Sequence, residues 1–259
     1  MGFDRSPLGE GGQVLVASGL AELGVLAAFT ERTGGVSREP FATLNASLAV
    51  GDDPSAVGAN RRVVIAGLDV PAFAIAGLVH GSTITRVGPK RAGAGFDAQE
   101  EAVPATDALA TASPRIPLAV TTADCVPLVY ASLREPTVVV AHAGWRGFAA
   151  GIVEAALSVY EVRSSVRVAI GPAIGPCHYE VGSDVALAVA AGAQAGAVTE
   201  TDGAVLRLDL VGTARRILEA ADVDRVDDTG LCTACESERF FSHRRDGTTG
   251  RQLAIGMRR

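Results

Sequence analysis

Apolar and polar positions alternate between two periods along this chain. "GVLAAFTERTGGVS", from Gly24 to Ser37, is a short apolar run ending in a Gly-Gly turn, and predicts a buried strand. "GDDPSAVGANRRVVIAGL", from Gly51 to Leu68, keeps Val57, Val64, Ile65 and Leu68 at roughly helical spacing. Asp52 or Asp53 can cap that helix, and Pro54 suits its first turn. "AFAIAGLVHG", "IPLAVTTADC" and "PTVVVAHAG" are apolar runs that predict buried strands ending near His80, Cys125 and His142. "FAAGIVEAALSVYEV" is amphipathic, with Ile152, Val153, Ala156, Leu157 and Tyr160 on one face. "VRVAIG" predicts a strand, "VGSDVALAVAAGAQAG" and "DLVGTARRILEAADV" predict helices, and the C-terminal segment predicts a loop and a last strand.

Strands and helices alternate, but several strands follow one another with no helix between them. The expected fold is therefore a layered α/β sandwich with a mixed β-sheet. No GxGxxG follows a strand and no Walker sequence is present, so a nucleotide-cradling Rossmann or P-loop unit is not expected. Residues 1–12 are polar and glycine-rich and are expected to be disordered, with 13–259 forming a single catalytic domain.

Of the 259 residues, 48% are apolar, enough for one sizeable core. The net charge of -6 argues against a general nucleic-acid binder. Lys90 is the one lysine and sits in a loop-like stretch, so Schiff-base chemistry is not expected. No run of about 18 apolar residues predicts a membrane span, and the N-terminus lacks a signal-peptide pattern. A cytoplasmic protein with reduced cysteines is the expectation.

His80, Cys125 and His142 are the candidate chemistry. Two imidazoles and one thiolate suit zinc, and three protein ligands leave an open position where a bound water is acidified. Copper is the alternative metal. Two other readings use the same residues. Cys125 can be a nucleophile with His142 as base and Asp124 as orienter. Equally, the cysteine and histidine can be core residues without chemistry. "FFSHRRDGTTGR" offers Arg244, Arg245 and Arg251 for an oxyanion, or else a solvated hairpin with Asp246 neutralising one arginine. Arg146, four residues after His142, is the stronger anion candidate, and Trp145 can pack on a flat substrate. Cys232 and Cys235 form a lone CxxC, expected to be structural because a zinc ribbon needs a second pair. Cys177 and His178 offer further ligands in a glycine-rich loop.

Eight ordered blocks resemble the YfiH/YlmD-like, laccase-domain family: "TERTGGVSREPFATLN", "VGDDPSAVGANR", "VHGSTI", "TADCVPL", "AHAGWRG", "AIGPAIGPCHYEVG", "CTAC" and "FFSHRRDGTTGR". The resemblance covers about nine-tenths of the chain. It implies an α/β sandwich distantly similar to bacterial toxin cysteine hydrolases. It also implies phosphorolysis of adenosine, inosine and methylthioadenosine, deamination of adenosine, and metal ligands at His80, Cys125 and His142. Asn45 and Arg61 become candidates for nucleoside or phosphate contact. The expected partners are small molecules, not nucleic acid or membrane, and the expected assembly is a monomer or homodimer. This chain departs from the family pattern at Leu78, usually glutamine, and at His243, usually tyrosine. The older description of such proteins as multicopper oxidases sits poorly with four histidines in the whole chain, since several copper centres need about ten.

Overall fold

The computed structural model describes residues 2–259. Its architecture follows from strands that bury both faces. Val126, Leu128 and Tyr130 of one strand enter a core shared with helices, while Val129 and Ala131 of the same strand enter a second core between sheets. A strand covered on both sides reads as a continuous apolar run, as observed.

There are two six-stranded sheets where the sequence predicts one. The first contains β1 (Phe3–Leu8), β2 (Gly12–Ala17), β3 (Val25–Thr30), β4 (Ala74–Ile75), β7 (Leu118–Thr122) and β14 (Gln252–Arg258), in the order β1-β2-β3-β14-β7-β4. The second contains β5 (Ile84–Arg86), β6 (Ala108–Thr111), β8 (Val126–Ser132), β9 (Val138–Ala143), β10 (Val166–Ile170) and β13 (Arg225–Asp228), in the order β13-β10-β8-β9-β6-β5. Both are mixed: β4–β7, β5–β6 and β10–β13 pair in parallel and the other neighbours antiparallel. A separate hairpin joins β11 (Val198–Asp202) and β12 (Val205–Asp209). The sheets pack through Val25, Ala27, Phe29, Leu118, Val120, Val138 and Val140. Phe29 is buried in that interface, and its truncation to alanine would destabilise the fold by about 3–5 kcal/mol.

Helices cover the outer faces. α2 (Pro54–Leu68) packs Val64 against Leu26, Ala28 and Ile255 of the first sheet. Asp53 caps it by accepting from the Ser55 N–H at 2.9 Å, Pro54 opens it, and Asp69 ends it in the left-handed region. The second sheet is covered by α3 (Trp145–Ala149), α4 (Ile152–Leu157) and α6 (Leu210–Ala220), with α5 (Ser183–Gly192) beside α3. α1 (Ser18–Ala21) and α7 (His243–Asp246) are single turns. The helix expected across residues 148–162 is broken at Gly151, whose φ of 77° the helix cannot contain. Its predicted apolar face is nonetheless the buried one.

Two further differences have clear causes. The N-terminal residues expected to be disordered form β1, in antiparallel register with β2 from Phe3–Ala17 to Leu8–Gly12. Leu8 is fully buried, Phe3 meets Phe29 at 5.9 Å, and Arg5 makes a bidentate pair with buried Glu31 at 2.8 Å. A few anchors suffice for an edge strand, and Pro7 is tolerated there. In "AFAIAGLVHG" only Ala74 and Ile75 are strand, and the chain then leaves the sheet as a loop. No helix among the described residues is long and apolar enough to cross a membrane.

Candidate active site

β7 belongs to the first sheet and β8 to the second, and only Ala123, Asp124 and Cys125 separate them. That switch places Cys125 at the junction of the sheets. Asp124 adopts φ of 93°, unusual for a residue with a side chain. Its carboxylate accepts from the Thr233 hydroxyl and from the Arg244 N–H, each at 2.6 Å, which hold the turn. His142 lies in β9 opposite Pro127 of β8, and is 3% exposed. His80 comes from the loop after β4, at φ of 60°.

One residue not singled out from the sequence brings these pieces together. Asp107, fully buried, accepts from the N–H groups of Val79, His80 and Gly81 at 3.2, 2.9 and 2.7 Å. The same carboxylate meets His142 Nδ1 at 3.1 Å. Asp107 therefore shapes the loop carrying one histidine and orients the ring of the other through Nδ1. It occupies the orienting position expected for Asp124, which instead anchors its own turn. "ATDALAT" contained the signal: an aspartate entering a fully apolar strand must find partners.

The donor atoms of His80, Cys125 and His142 all lie within 4.8 Å of one another. The two imidazole rings are 5.0 Å apart and nearly perpendicular. Burial alone would push the Cys125 thiol up, but the charge and hydrogen bonds of His142 and His80 outweigh it and bring the thiol down to about 6. Burial likewise opposes charge on His142, yet Cys125 and Asp107 raise it to about 9. Thiolate and imidazolium stabilise each other here. Gly144 keeps the cluster open: a Cβ there would stand 2.9 Å from Cys125 Sγ and 3.1 Å from His80 Cδ2.

The cluster opens into a cavity of about 300 Å³, lined also by Trp145, Arg146, Ile174, Tyr179, His243 and Arg244. Arg146 stacks on Trp145 at 4.4 Å, and Arg244 on Tyr179 at 4.8 Å. Arg244 also donates to the Glu180 carbonyl at 2.8 Å. Both arginines line the cavity. His243, on the rim, meets the Gly247 carbonyl through Nδ1 at 2.6 Å. Leu78 packs into the core between the sheets.

Three other predicted contact residues are placed elsewhere. Arg61 is fully buried and donates to the carbonyls of Ala46, Gly95 and Phe96 at 2.8, 2.7 and 2.5 Å. Burial lowers it to about 10. Asn45, also buried, bonds Ser47, Asp52 and the Arg251 N–H. Arg245 grips Asp246 and the carbonyls of Thr233, Ala234 and Phe240. These three brace loops and do not line the cavity. A second cluster, Cys177, His178, Cys232 and Cys235, also has the donors to hold a metal.

Residues 26–259 match a family model described as multi-copper polyphenol oxidoreductase laccase. Purine nucleoside phosphorylase YlmD of Geobacillus stearothermophilus is 39% identical over 249 residues, covering 91% of each chain. Purine nucleoside phosphorylase ORF3 of Streptomyces griseus is 41% identical, covering 86% of this chain and 90% of its own. Purine nucleoside phosphorylase YfiH of Escherichia coli is 35% identical, covering 90% and 93%. The crystal structure of Geobacillus YlmD superposes with a TM-score of 0.92 over 100% of this chain and 99% of its own, at 36% identity. With the ordered motifs, the sandwich and these relatives in agreement, the chain belongs to the YlmD/YfiH family of laccase-domain proteins.

Proposed function

We propose that this chain is a purine nucleoside phosphorylase that acts on adenosine, inosine and methylthioadenosine, and that also deaminates adenosine. The observation that carries the reading is one cavity lined by His80 and Cys125 of the cysteine–histidine cluster and by two arginines. The names of relatives at 35–41% identity support the phosphorylase class.

Phosphorolysis forms a bond from a phosphate oxygen to C1′ while the glycosidic C–N bond breaks and its electron pair passes to the purine. Arg146 and Arg244 supply the charge that binds and orients phosphate. Trp145 and Tyr179 offer flat walls to the base. The cavity, at the lower end of the usual ligand-pocket range, suits a molecule of nucleoside size.

The donor set fits zinc. His80, Cys125 and His142 can meet one ion, the thiol is biased toward thiolate, and Asp107 supplies the carboxylate behind the histidine that such sites favour. Bound there with a fourth position open, zinc or copper would supply Lewis acidity for displacement of the adenosine amino group. Two histidines and one cysteine furnish one mononuclear site, so the polyphenol-oxidase reading is the weaker one.

A second reading rests on Cys125, His142 and Asp107, which stand in nucleophile–base–orienter order. Incubating the protein with adenosine, with and without phosphate, separates the readings. Adenine and ribose 1-phosphate formed only with phosphate, alongside some inosine or hypoxanthine, is the expected result. Release of adenine and free ribose without phosphate, abolished by iodoacetamide, favours the thiol hydrolase. No turnover of any nucleoside overturns the proposal.

A further inference from the structure

On the outside of the cavity wall, two segments far apart in sequence converge. One is the loop after β10, which carries Cys177 and His178. The other follows β13 and carries Cys232 and Cys235. A parallel bridge between Ala173 and Cys232 fixes their register, with Ala173 N–H donating to Leu231 and Thr233 N–H donating back to Ala173. The CxxC that lacks a second pair in sequence thus receives one from Cys177-His178.

The four donors stand at the separations of a metal-ligand set. Cys177 Sγ and Cys235 Sγ are 3.5 Å apart. His178 Nδ1 lies 3.3, 3.4 and 4.0 Å from the sulfurs of Cys177, Cys235 and Cys232. Around a tetrahedral zinc, with Zn–S of about 2.3 Å and Zn–N of about 2.0–2.1 Å, neighbouring donors stand about 3.5–3.8 Å apart. The observed separations bracket that value, and all four donor atoms lie within 4.8 Å of one another. Cys232 Sγ also accepts from the Gly175 N–H at 3.2 Å, the kind of support that metal thiolates receive. A Cβ at Gly175 would crowd Cys177 Sγ at 3.3 Å and Cys232 Sγ at 3.5 Å, so glycine leaves the sulfurs their room.

We propose that Cys177, His178, Cys232 and Cys235 bind one zinc ion in a closed, four-ligand structural site, distinct from the cluster around Cys125. Three thiolates and one imidazole leave no position for substrate. The effect of the ion is to clamp the wall of the cavity. Ile174 and Tyr179 of the first loop line that cavity. Thr233 of the second loop donates to Asp124, and its carbonyl receives Arg245.

The test uses full-length protein carrying Cys125→Ala, so that the thiols left are those of the proposed site. Stripped of metal under reducing conditions and given one equivalent of cobalt(II), it should show intense near-ultraviolet thiolate-to-cobalt bands and visible bands of tetrahedral cobalt. Zinc should displace them at one equivalent. The zinc-loaded form should shield all three thiols from Ellman's reagent, and chelation should expose them and lower the Tm by more than about 5 °C. Adding Cys232→Ser and Cys235→Ser should abolish the bands. Should that variant fail to fold, thiol shielding in the parent still decides the matter. Absence of thiolate bands, immediate reaction of all three thiols with zinc present, or a disulfide detected by mass would each overturn the proposal.

Discussion

The clusters around Cys125 and Cys232 use the same two side-chain types and differ in setting. The first is recessed at the junction of two sheets, has three donors, and is backed by a buried carboxylate on His142. The second is largely exposed, has four donors, and is backed by a backbone N–H. An open coordination position inside a cavity is suited to chemistry, and a filled one at the surface to holding loops together. Surroundings, and the count of donors, separate the two roles.

The largest expected effect lies in the first cluster. Cys125→Ala should lower phosphorolysis on the order of 10³-fold or more while leaving the circular-dichroism spectrum folded. Turnover within tenfold of the parent enzyme would remove the contrast between the clusters. Next come the arginines that line the cavity. Charge-assisted contacts are each worth about 1.5–3 kcal/mol, so Arg146→Ala should raise the KM for phosphate roughly 10- to 150-fold. The KM for adenosine and the rate of deamination should move far less, as steady-state kinetics at varied phosphate would record. An unchanged phosphate KM in both Arg146→Ala and Arg244→Ala would move the anion site elsewhere.

Asp107→Asn keeps the shape of the support but removes its charge. Losses of about 10- to 100-fold in metal affinity or activity are expected, measured by metal titration alongside turnover. A variant indistinguishable from the parent would show that the ring of His142 needs no carboxylate.

The smallest effect calibrates the others, because it lies at a site that neither cluster uses. Glu31, 1% exposed, is held by Arg5 and Arg239. Burial opposes its charge, but the two arginines prevail and hold its carboxyl below the ordinary value. A lowered folded pKa gives stability that is fully present above the unfolded value of about 4.3 and is lost as pH falls through the folded one. Glu31→Gln should reduce stability by about 1.5–3 kcal/mol at pH 7 and narrow its gap to the parent in acid. Urea denaturation at pH 7 and pH 3 reads both, and an equal gap at the two pH values would contradict the sign. Metal content should not change.

Much of the fold was legible because local rules wrote it. The helix from Pro54 announces itself by Asp53, Pro54 and its apolar spacing, and the strands holding Phe29, Val120 and Val140 by apolar runs. His80, Cys125 and His142 were visible as reactive types at the edges of those runs, Arg146 by its nearness to His142, and Arg244 within an arginine cluster. Composition and motif order also carried the family. What the sequence could not contain is distance between segments. That Asp107, not Asp124, stands behind His142 depends on β6 pairing with β9. That Arg61 and Asn45 turn inward depends on loops folding over α2, where backbone carbonyls and the Asp52 carboxylate claim the donors first. The division into two sheets depends on three residues after Thr122, a bend with no periodicity to read. The lone CxxC acquires its partners because β10 and β13 lie side by side in parallel. Periodicity reports how each segment meets water and core, whereas which segments meet one another is settled when the whole core packs.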